Sequence, residues 1–536
     1  MKIVIAIVLF PLLAWSGIAA GSPVGREDIY LLNLKWSADD QRVHGFRPRG
    51  DLEPWPLKTP IDWGADPFSD RNWQFQLNAW RMTDPLLLEY FQTQDPALLA
   101  EAMQFVDDWH HFHLIDGQSH EYSWYDMGTG IRALRIAFFL DAGNRGLFPL
   151  KDGQMGRLLE LADEHARRLQ DDEFIAINNH GLFQVAGLYL LCEVARDRSA
   201  CEHGQEFAQE KYDEILRAQF TEEGVHTENS PSYHFFVRNL LRSLGALKRM
   251  GHIDLLQKID AVAPWLVFPN GKVARIGDSG STSLPLKDDP EEPACLSDKR
   301  CFAVSDLTRS GYAVVRSLPS ENQTSMLFVA GMAHNTIHKH ADELSFELFE
   351  FRRMIFIDSG KYAYKRGPFR TYVQSAAAHN TLSLSDRHIR PSEVELSGSL
   401  LVPIKQTASG FAIEGQVERP DLFHQRRQIT YDPGRSINIV DHLSADEEMQ
   451  FVSSLHLAPD LIPKLSEDGF EVAADEHIIH GKVIEDDCSL SVARGQQEPT
   501  MLGWQTSGYA EMSPTSVIMA TCPGRERTIS WSILFD

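Results

Sequence analysis

The hydrophobic periodicity of this sequence changes once along the chain. Between about Asp62 and about Arg275, apolar residues recur at i, i+3, i+4 and i+7, the stripe of amphipathic helices. Beyond Cys301 the pattern becomes short β-type runs separated by Gly, Pro, Asn and Asp, which is typical of an antiparallel sandwich. The 536 residues exceed one ordinary core, so two or three domains are expected.

Particular segments carry these predictions. Helices are predicted within residues 73–80, 96–109, 155–165 and 238–248. Strands are predicted within residues 312–316, 325–330, 400–404, 411–415, 428–431, 436–440 and 528–534. Residues 281–301, which contain three prolines and eight charged residues, predict a linker or surface loop between the two regions.

The N-terminal residues have the pattern of a secretory signal peptide. A lysine at position 2 precedes an apolar run over residues 3–15, and small residues follow from Ser16 to Gly21. The run is short for a membrane span. We therefore predict a signal peptide over residues 1–20, cleavage between Ala19 and Gly21, a periplasmic or secreted protein, and no stable membrane insertion after cleavage.

The six cysteines are compatible with such an exported protein. Cys192 and Cys201 are close enough in sequence to pair across a loop, as are Cys295 and Cys301, and the remaining two cysteines could form a third pair. Six buried thiols are the alternative, and sequence alone does not separate the two cases.

The charge balance restricts the class of molecule that the protein is expected to bind. The formal net charge is −24, from 51 basic and 75 acidic residues, and no basic stripe is visible. This excludes nucleic acid as the expected partner and argues weakly against a densely sulfated one.

A group of histidines and carboxylates predicts a metal site. His338 and His340 precede an alternating segment that reads as a strand, and period two would place both imidazoles on one face. Asp358 and His379 follow, and two or three imidazoles with a carboxylate and a water suit zinc. Asp342, on the same predicted strand face, is the alternative to Asp358.

Two polar breaks lie within the helical region. The residues Asn178, Asn179, His180 and Gly181 precede a restarting helix pattern, so they are predicted at a helix N-terminus with Asn178 as the N-cap. Residues 228–234, which include Tyr233, form a second polar break before a helix.

Taken together, these motifs resemble the heparinase II/III family of polysaccharide lyases over residues from about Asp62 to about His456. The resemblance rests on six motifs: residues 70–77 (DRNWQFQL), 122–130 (YSWYDMGTG), 178–181 (NNHG), 230–234 (SPSYH), 338–342 (HKHAD) and 378–381 (AHNT). It implies an N-terminal incomplete (α/α) toroid over residues 21–300 and a C-terminal antiparallel β-sandwich over residues 301–536.

The resemblance also implies residue roles in β-elimination at a uronic acid of an acidic polysaccharide. Asn179 resembles the amide that neutralises the uronate carboxylate, and His180 resembles a second neutraliser or the base. Tyr233 resembles the tyrosine that protonates O4, and His338 resembles a catalytic histidine. His340, Asp358 and His379 resemble ligands of a Zn²⁺ ion, for which a structural role is favoured.

Other functions remain open at this point. The same toroid could carry a glycoside hydrolase, although hydrolysis calls for two carboxylates flanking a cleft. A non-catalytic polysaccharide-binding protein of an exopolysaccharide system is the second alternative. The expected substrates are alginate, a glycosaminoglycan or a bacterial exopolysaccharide, with unsulfated polymers favoured. A homodimer is left open.

Overall fold

The computed structural model describes residues 23–32, 35–284, 293–318 and 324–536. The predicted signal peptide and residues 285–292 of the predicted linker lie outside this part of the chain. Two compact units are present: Met1–Ile215 with Ser243–Met250, and Leu216–Arg242 with Gly251–Asp536. We refer to them as the first unit and the second unit. The predicted boundaries at residues 20/21 and 300/301 stay predictions.

The first half of the chain is helical. The helices are α1 Ala38–His44, α2 Arg71–Asn78, α3 Asp84–Thr93, α4 Pro96–His110, α5 Asp126–Asn144, α6 Gln154–Leu169, α7 Asn179–Val194, α8 Gly204–Gln219, α9 Pro231–Ser243, α10 Gly245–Met250 and α11 Ile253–Val262. Among the described residues, a further helix, α12 Pro368–Gln374, lies between strands. The predicted helix over residues 238–248 is wrong in one respect, because α9 ends at Ser243 and α10 begins at Gly245.

Helices α5 and α7 form the buried centre of the first unit. Their backbones come very close, because a Cβ on Gly130 would lie 2.3 Å from the Phe183 carbonyl oxygen and one on Gly187 would lie 2.4 Å from the Gly130 carbonyl oxygen. Only glycine permits such an approach. This packing brings the first turn of α5 beside the first turn of α7.

The second unit contains the strands. They are β1 Ala294–Cys295, β2 Cys301–Leu307, β3 Tyr312–Ser317, β4 Met326–Ala330, β5 Met332–Ala333, β6 Phe346–Glu350, β7 Arg353–Phe356, β8 Leu382–Leu384, β9 Gly398–Ser399, β10 Lys405–Gln406, β11 Phe411–Arg419, β12 Phe423–Asp432, β13 Ser436–His456, β14 Pro463–Leu465, β15 Gly469–Ala474, β16 His477–Val483, β17 Ser489–Arg494, β18 Trp504–Gly508, β19 Glu511–Pro514 and β20 Ser516–Phe535.

Within the described residues, two large antiparallel sheets pack face to face. One has the strand order β1-β2-β3-β4-β6-β7, and the other has β10-β11-β12-β13-β20-β16-β15-β14, with β8 on β13 and β17 on β20. The smaller of the two is buried on both faces: Ala313 and Val315 pack toward the large sheet, whereas Tyr312 and Val314 pack on the segment around α11. Strand β12 alternates buried and partly exposed positions, because one of its faces is covered more fully than the other.

The predicted fold class is therefore confirmed: an incomplete (α/α) toroid is followed in the chain by an antiparallel β-sandwich. Most predicted strands lie within observed ones. The exception is residues 400–404, where only Leu401 forms an isolated bridge, to Gly415.

The predicted strand that carries His338 and His340 is wrong. Strand β6 begins at Phe346, and residues 338–345 form a loop. His338 and Leu344 have φ values of +55° and +57°, and such left-handed residues do not continue a strand. Asp342 consequently lies on this loop too, where its carboxylate accepts a hydrogen bond from the Gly277 amide at 2.9 Å.

The six cysteines form three disulfides in the pairs considered from the sequence: Cys192–Cys201, Cys295–Cys301 and Cys488–Cys522. The alternative of six buried thiols is therefore wrong.

Candidate active-site residues

In the first unit, the predicted helix N-terminus is confirmed. Helix α7 begins at Asn179, and the Oδ1 atom of Asn178 accepts a hydrogen bond from the His180 amide at 2.8 Å. An N-cap of this kind satisfies one of the unpaired amides of the first turn. It fixes the backbone from which Asn179 and His180 project.

His180 is held by a carboxylate that sequence reasoning missed. Its Nδ1 atom lies 3.1 and 3.2 Å from the two carboxylate oxygens of Asp126, the first residue of α5. Because Nδ1–H donates to a carboxylate, Nε2 of a neutral His180 is the unprotonated nitrogen, able to accept a proton. Asp126 lies within residues 122–130, one of the six motifs that carry the family resemblance. The sequence therefore contained a signal for this residue.

Asn179 has an unengaged amide. Its side chain is 8% exposed, and within the described part of the chain this amide has no hydrogen-bond partner. An amide that is not engaged by the protein is suited to donate hydrogen bonds to a bound ligand.

In the second unit, Tyr233 and His338 are in direct ring contact. Tyr233 lies in the first turn of α9, and its ring stacks on that of His338 with centroids 3.6 Å apart and planes 17° from parallel. Its hydroxyl forms a hydrogen bond with the hydroxyl of Tyr364. Burial raises the pKa of the Tyr233 hydroxyl to about 12, so it keeps its proton at neutral pH.

Asp278, which sequence reasoning also missed, receives both loop histidines. Its oxygens lie 3.1 Å from Nδ1 of His338 and 2.9 Å from Nε2 of His340, and both terminal nitrogens of Arg370 donate to it. Burial alone would raise the pKa of this carboxyl, but the hydrogen bonds from the two histidines and the arginine hold it well below its usual range. Set between glycines, Asp278 resembles an ordinary turn residue in the sequence.

Short contacts join this aspartate turn to the start of α9. The hydroxyls of Ser230 and Ser279 lie 2.9 Å apart, and the Gly280 amide donates to the Ser232 hydroxyl at 3.1 Å. The Asn229 amide donates to the carbonyl oxygens of Asn335 and Ile337 at 3.0 and 2.9 Å. The helix that carries Tyr233 and the loop that carries His338 are therefore tied together.

Two cationic side chains lie beside this pair of rings. The Lys361 ammonium is 3.8 Å from the Tyr364 ring centroid and 6.0 Å from that of Tyr233, and burial lowers its pKa to about 8. Among the described residues no carboxylate forms an ion pair with Lys361. Arg370, in contrast, is engaged by Asp278.

The three predicted zinc ligands are buried neighbours. His379 Nδ1 lies 2.6 Å from an Asp358 oxygen, and the rings of His340 and His379 are 5.4 Å apart. In the part of the chain that is described, His340 Nδ1 and His379 Nε2 are buried without a hydrogen-bond partner. The donor types suit zinc, although no three His, Cys, Asp or Glu side chains of the described residues are arranged to hold a metal ion.

The second unit thus brings Tyr233, His338 and His340 together around Asp278, and places Asp358 against His379. Asn179 and His180 belong to the first unit, where Asp126 completes their surroundings. Sequence reasoning did not single out five residues of these groups: Asp126, Asp278, Lys361, Tyr364 and Arg370.

Three arginines of the helical region have structural surroundings. Arg135 pairs with Asp84, and Arg238 lies 2.6 Å from Asp260. Arg132 is fully buried among tryptophans, with its guanidinium 4.5 Å from the Trp109 ring centroid. Burial also lowers the pKa of His120.

Comparison with known families gives two matches that together span most of the chain. Residues 31–261 match the heparinase II/III N-terminus, and residues 302–532 match the heparinase II/III-like C-terminal domain. A search of curated proteins gave no match.

Solved structures share the fold. A heparinase III structure superposes with a TM-score of 0.74 at 16% identity, covering 96% of this chain and 87% of that one. A mutant of heparan sulfate lyase HepC from Pedobacter heparinus gives a TM-score of 0.68 at 15% identity, covering 93% and 82%. In the residues described, none of the helices is both long enough and apolar enough to cross a membrane.

Proposed function

Because this chain belongs to the heparinase II/III family and is a polysaccharide lyase, we propose that it is exported and cleaves a uronate-containing polysaccharide by β-elimination. The observation that carries this proposal is the Tyr233 hydroxyl. It is protonated at neutral pH, stacked on an imidazole that a carboxylate holds, and bonded to the hydroxyl of an exposed tyrosine.

The reaction makes three chemical demands. The uronate carboxylate must be neutralised so that the C5 proton can leave. A base must take that proton, and an acid must protonate the departing O4 as the C4–C5 double bond forms. Each demand can be assigned to residues of this chain.

Tyr233 is the proposed acid. A phenol whose pKa is raised to about 12 stays protonated at neutral pH, so it is not available as a base but can donate a proton to an alkoxide leaving group. His338 is the proposed partner that fixes the tyrosine ring, since the two rings stack and the Nδ1 atom of His338 is held by Asp278.

Asn179 and His180 are the proposed neutraliser and base. The Asn179 amide has donors that the described protein leaves unused, and it adds no charge. The Nε2 atom of His180 is available because Asp126 holds Nδ1.

A zinc ion at His340, Asp358 and His379 is proposed as a structural element. Two buried ring nitrogens without a partner and a buried carboxylate support it. When bound, zinc would tie the His338 loop to the segments that carry Asp358 and His379, and no step of the elimination is assigned to it.

For the substrate we propose an unsulfated uronate polymer such as alginate, an unsulfated glycosaminoglycan or a bacterial exopolysaccharide. The net charge of −24 opposes a densely sulfated chain. Near Tyr233, Lys361 is a cation without a carboxylate partner among the described residues, whereas Arg370 is already paired. The unpaired Lys361 ammonium can pair with the carboxylate of a uronate.

The test is digestion of a panel of sulfated and unsulfated uronate polymers, followed by ultraviolet absorbance and product mass. Only elimination creates a conjugated unsaturated uronate, so we expect absorbing oligosaccharides from an unsulfated member. New reducing ends without this absorbance would indicate hydrolysis instead, and binding without cleavage of any polymer would indicate a binding protein.

Export is supported by the predicted signal peptide and by the three disulfides, which form in oxidising compartments. We expect the mature protein to begin between Ala20 and Ser22 in the periplasmic or culture fraction, as read by N-terminal mass spectrometry. An intact Met1 in the cytoplasmic fraction would contradict export.

A further inference from the structure

One carboxylate joins two histidines that have different proposed roles. Asp278 is 2% exposed, and its two oxygens take one imidazole each: Oδ2 faces Nδ1 of His338 and Oδ1 faces Nε2 of His340. Because each oxygen has its own ring, moving the carboxylate would disturb both histidines together.

The main chain reinforces this contact. The Asp278 amide donates to the His338 carbonyl oxygen at 3.0 Å, so the aspartate holds His338 by both backbone and side chain. This approach depends on Gly277, whose φ is +58° and where a Cβ would lie 2.2 Å from the Asn229 carbonyl oxygen and 2.9 Å from that of His338. The turn is thus built for a close approach to the histidine loop.

The contacts of His338 explain why its orientation needs such support. Its φ of +55° places it on an irregular loop, where no strand ladder fixes the side chain. Its Nε2 atom lies 3.5 Å from the carboxylate of Glu228, and one ring face is covered by Tyr233. Without the bond to Nδ1, the imidazole could rotate about its χ2 angle and exchange its nitrogens.

We infer that Asp278 is a positioning residue of the lyase: it sets the rotamer and tautomer of His338, and through His338 the placement of the Tyr233 ring, while the same carboxylate holds His340. The inference rests on the proposed function and extends it. Arg370 supplies the counter-charge that keeps Asp278 in place, since both of its terminal nitrogens donate to this carboxylate.

A purely structural role is the competing explanation, because a buried ion pair broken on one side destabilises any protein. The two roles differ in their effect on turnover. A structural aspartate affects the fraction of folded enzyme, whereas a positioning aspartate lowers kcat of the folded enzyme, and this loss of kcat depends on His338.

The experiment compares Asp278→Asn with Asp441→Asn in the full chain. Asp441 is a matched control: it is equally buried, both of its oxygens accept from Arg427 at 2.8 Å, and no histidine contacts its side chain in the described structure. Both variants should have a lower Tm. At a temperature where both are folded, Asp278→Asn should lower kcat by on the order of 10–100-fold with KM nearly unchanged, whereas Asp441→Asn should retain the wild-type kcat.

A double-mutant cycle separates action through His338 from an independent effect. In a His338→Gln background, Asp278→Asn should add less than about threefold to the loss of kcat. Equal losses for Asp278→Asn and Asp441→Asn, wild-type kcat in Asp278→Asn, or additive losses in the cycle would each overturn the inference.

If Asp278→Asn does not fold, Asp278→Glu replaces it. Glutamate keeps the charge for Arg370 but moves the oxygens by one methylene, so we expect a folded protein with reduced kcat. Wild-type kcat in Asp278→Glu would overturn the inference. If the wild-type chain produces no unsaturated product from any polymer, the proposed function itself fails. This outcome is distinct from the results for the Asp278 variants, which are measured on an active wild-type enzyme.

Discussion

The ring of Tyr233 lies on the ring of His338, with centroids 3.6 Å apart and an angle of 17° between the planes. The tyrosine comes from a helix and the histidine from a loop about a hundred residues later, and each has a polar partner of its own, Tyr364 for Tyr233 and Asp278 for His338. Stacking leaves the phenol hydroxyl at the ring edge, where its hydrogen bond to Tyr364 is made.

Replacing Tyr233 by Phe keeps this stacking and removes only the hydroxyl. If the hydroxyl protonates O4, turnover should fall by on the order of 10²–10⁴, while the free energy of unfolding changes by about 1 kcal/mol. The measurement is the initial rate of unsaturated product formation. Tyr372→Phe is the control, since the hydroxyl of this buried tyrosine lies 3.4 Å from the backbone of Trp504 and its loss should leave turnover unchanged. Near wild-type rates for Tyr233→Phe would remove this residue from the mechanism.

Replacing Asp126 by Asn should impair His180. An asparagine can present its amide to Nδ1 and so favour the tautomer that carries the proton on Nε2, which blocks a base at that nitrogen. We expect turnover to fall by on the order of 10²-fold with little change in Tm. Glu206→Gln is the control, because Glu206 also faces a histidine, His203 at 3.7 Å, but both are largely exposed. Equal effects of the two substitutions would contradict the assignment of His180.

Removal of zinc should destabilise the protein. Dialysis against a chelator should release about one zinc per chain and lower Tm, because a ligand that binds only the folded state adds to its stability. His340→Ala should abolish zinc binding and lower Tm, whereas His424→Ala, an exposed histidine beside Glu418, should do neither. Elemental analysis that finds no divalent metal in freshly purified protein would contradict the zinc site.

Replacing Gly277 by Ala tests the turn that carries Asp278. The new Cβ would meet two carbonyl oxygens in a left-handed residue, so the free energy of unfolding should fall by ~2 kcal/mol or more, and kcat should fall with it. Gly434→Ala is the control: its φ is +75°, yet nothing lies within 4 Å of the added Cβ, so only the backbone cost of about 1 kcal/mol applies. Chemical denaturation measures the free energy of unfolding of both variants. A smaller loss of stability for Gly277→Ala than for Gly434→Ala would contradict the close approach of Gly277 to the two carbonyl oxygens.

Glu350 should make stability depend on pH. Burial raises its pKa from 4.5 to about 7, and its carboxyl faces the Tyr431 hydroxyl and the Gly434 amide. Because the folded-state pKa is raised, the folded protein binds the extra proton, so this contribution is full below pH 4.5 and is lost as pH rises through about 7. The free energy of unfolding of the wild type relative to Glu350→Gln should therefore fall by roughly 3 kcal/mol between pH 4.5 and pH 8. Parallel stability curves for the two proteins would contradict this prediction.

The sequence determined the features that depend on neighbours in the chain. The change from helical to alternating periodicity gave the order of toroid and sandwich, because each period places apolar side chains on one face of its own element. The Asn178 cap and the helix start after residue 230 follow from local hydrogen bonding. The spacing of the cysteines suggested the three pairs but did not decide between disulfides and buried thiols, and the motifs identified the family.

Only the tertiary structure decided which side chains surround the proposed catalytic residues. Asp126 reaches His180 across 54 residues because Gly130 and Gly187 let α5 and α7 touch. Asp278 reaches His338 across 60 residues through a turn at Gly277. The predicted strand face for His338 and His340 was wrong, yet both imidazoles converge on one carboxylate. Periodicity describes a regular backbone, whereas a loop with positive φ values is fixed by long-range hydrogen bonds and packing that no local pattern contains.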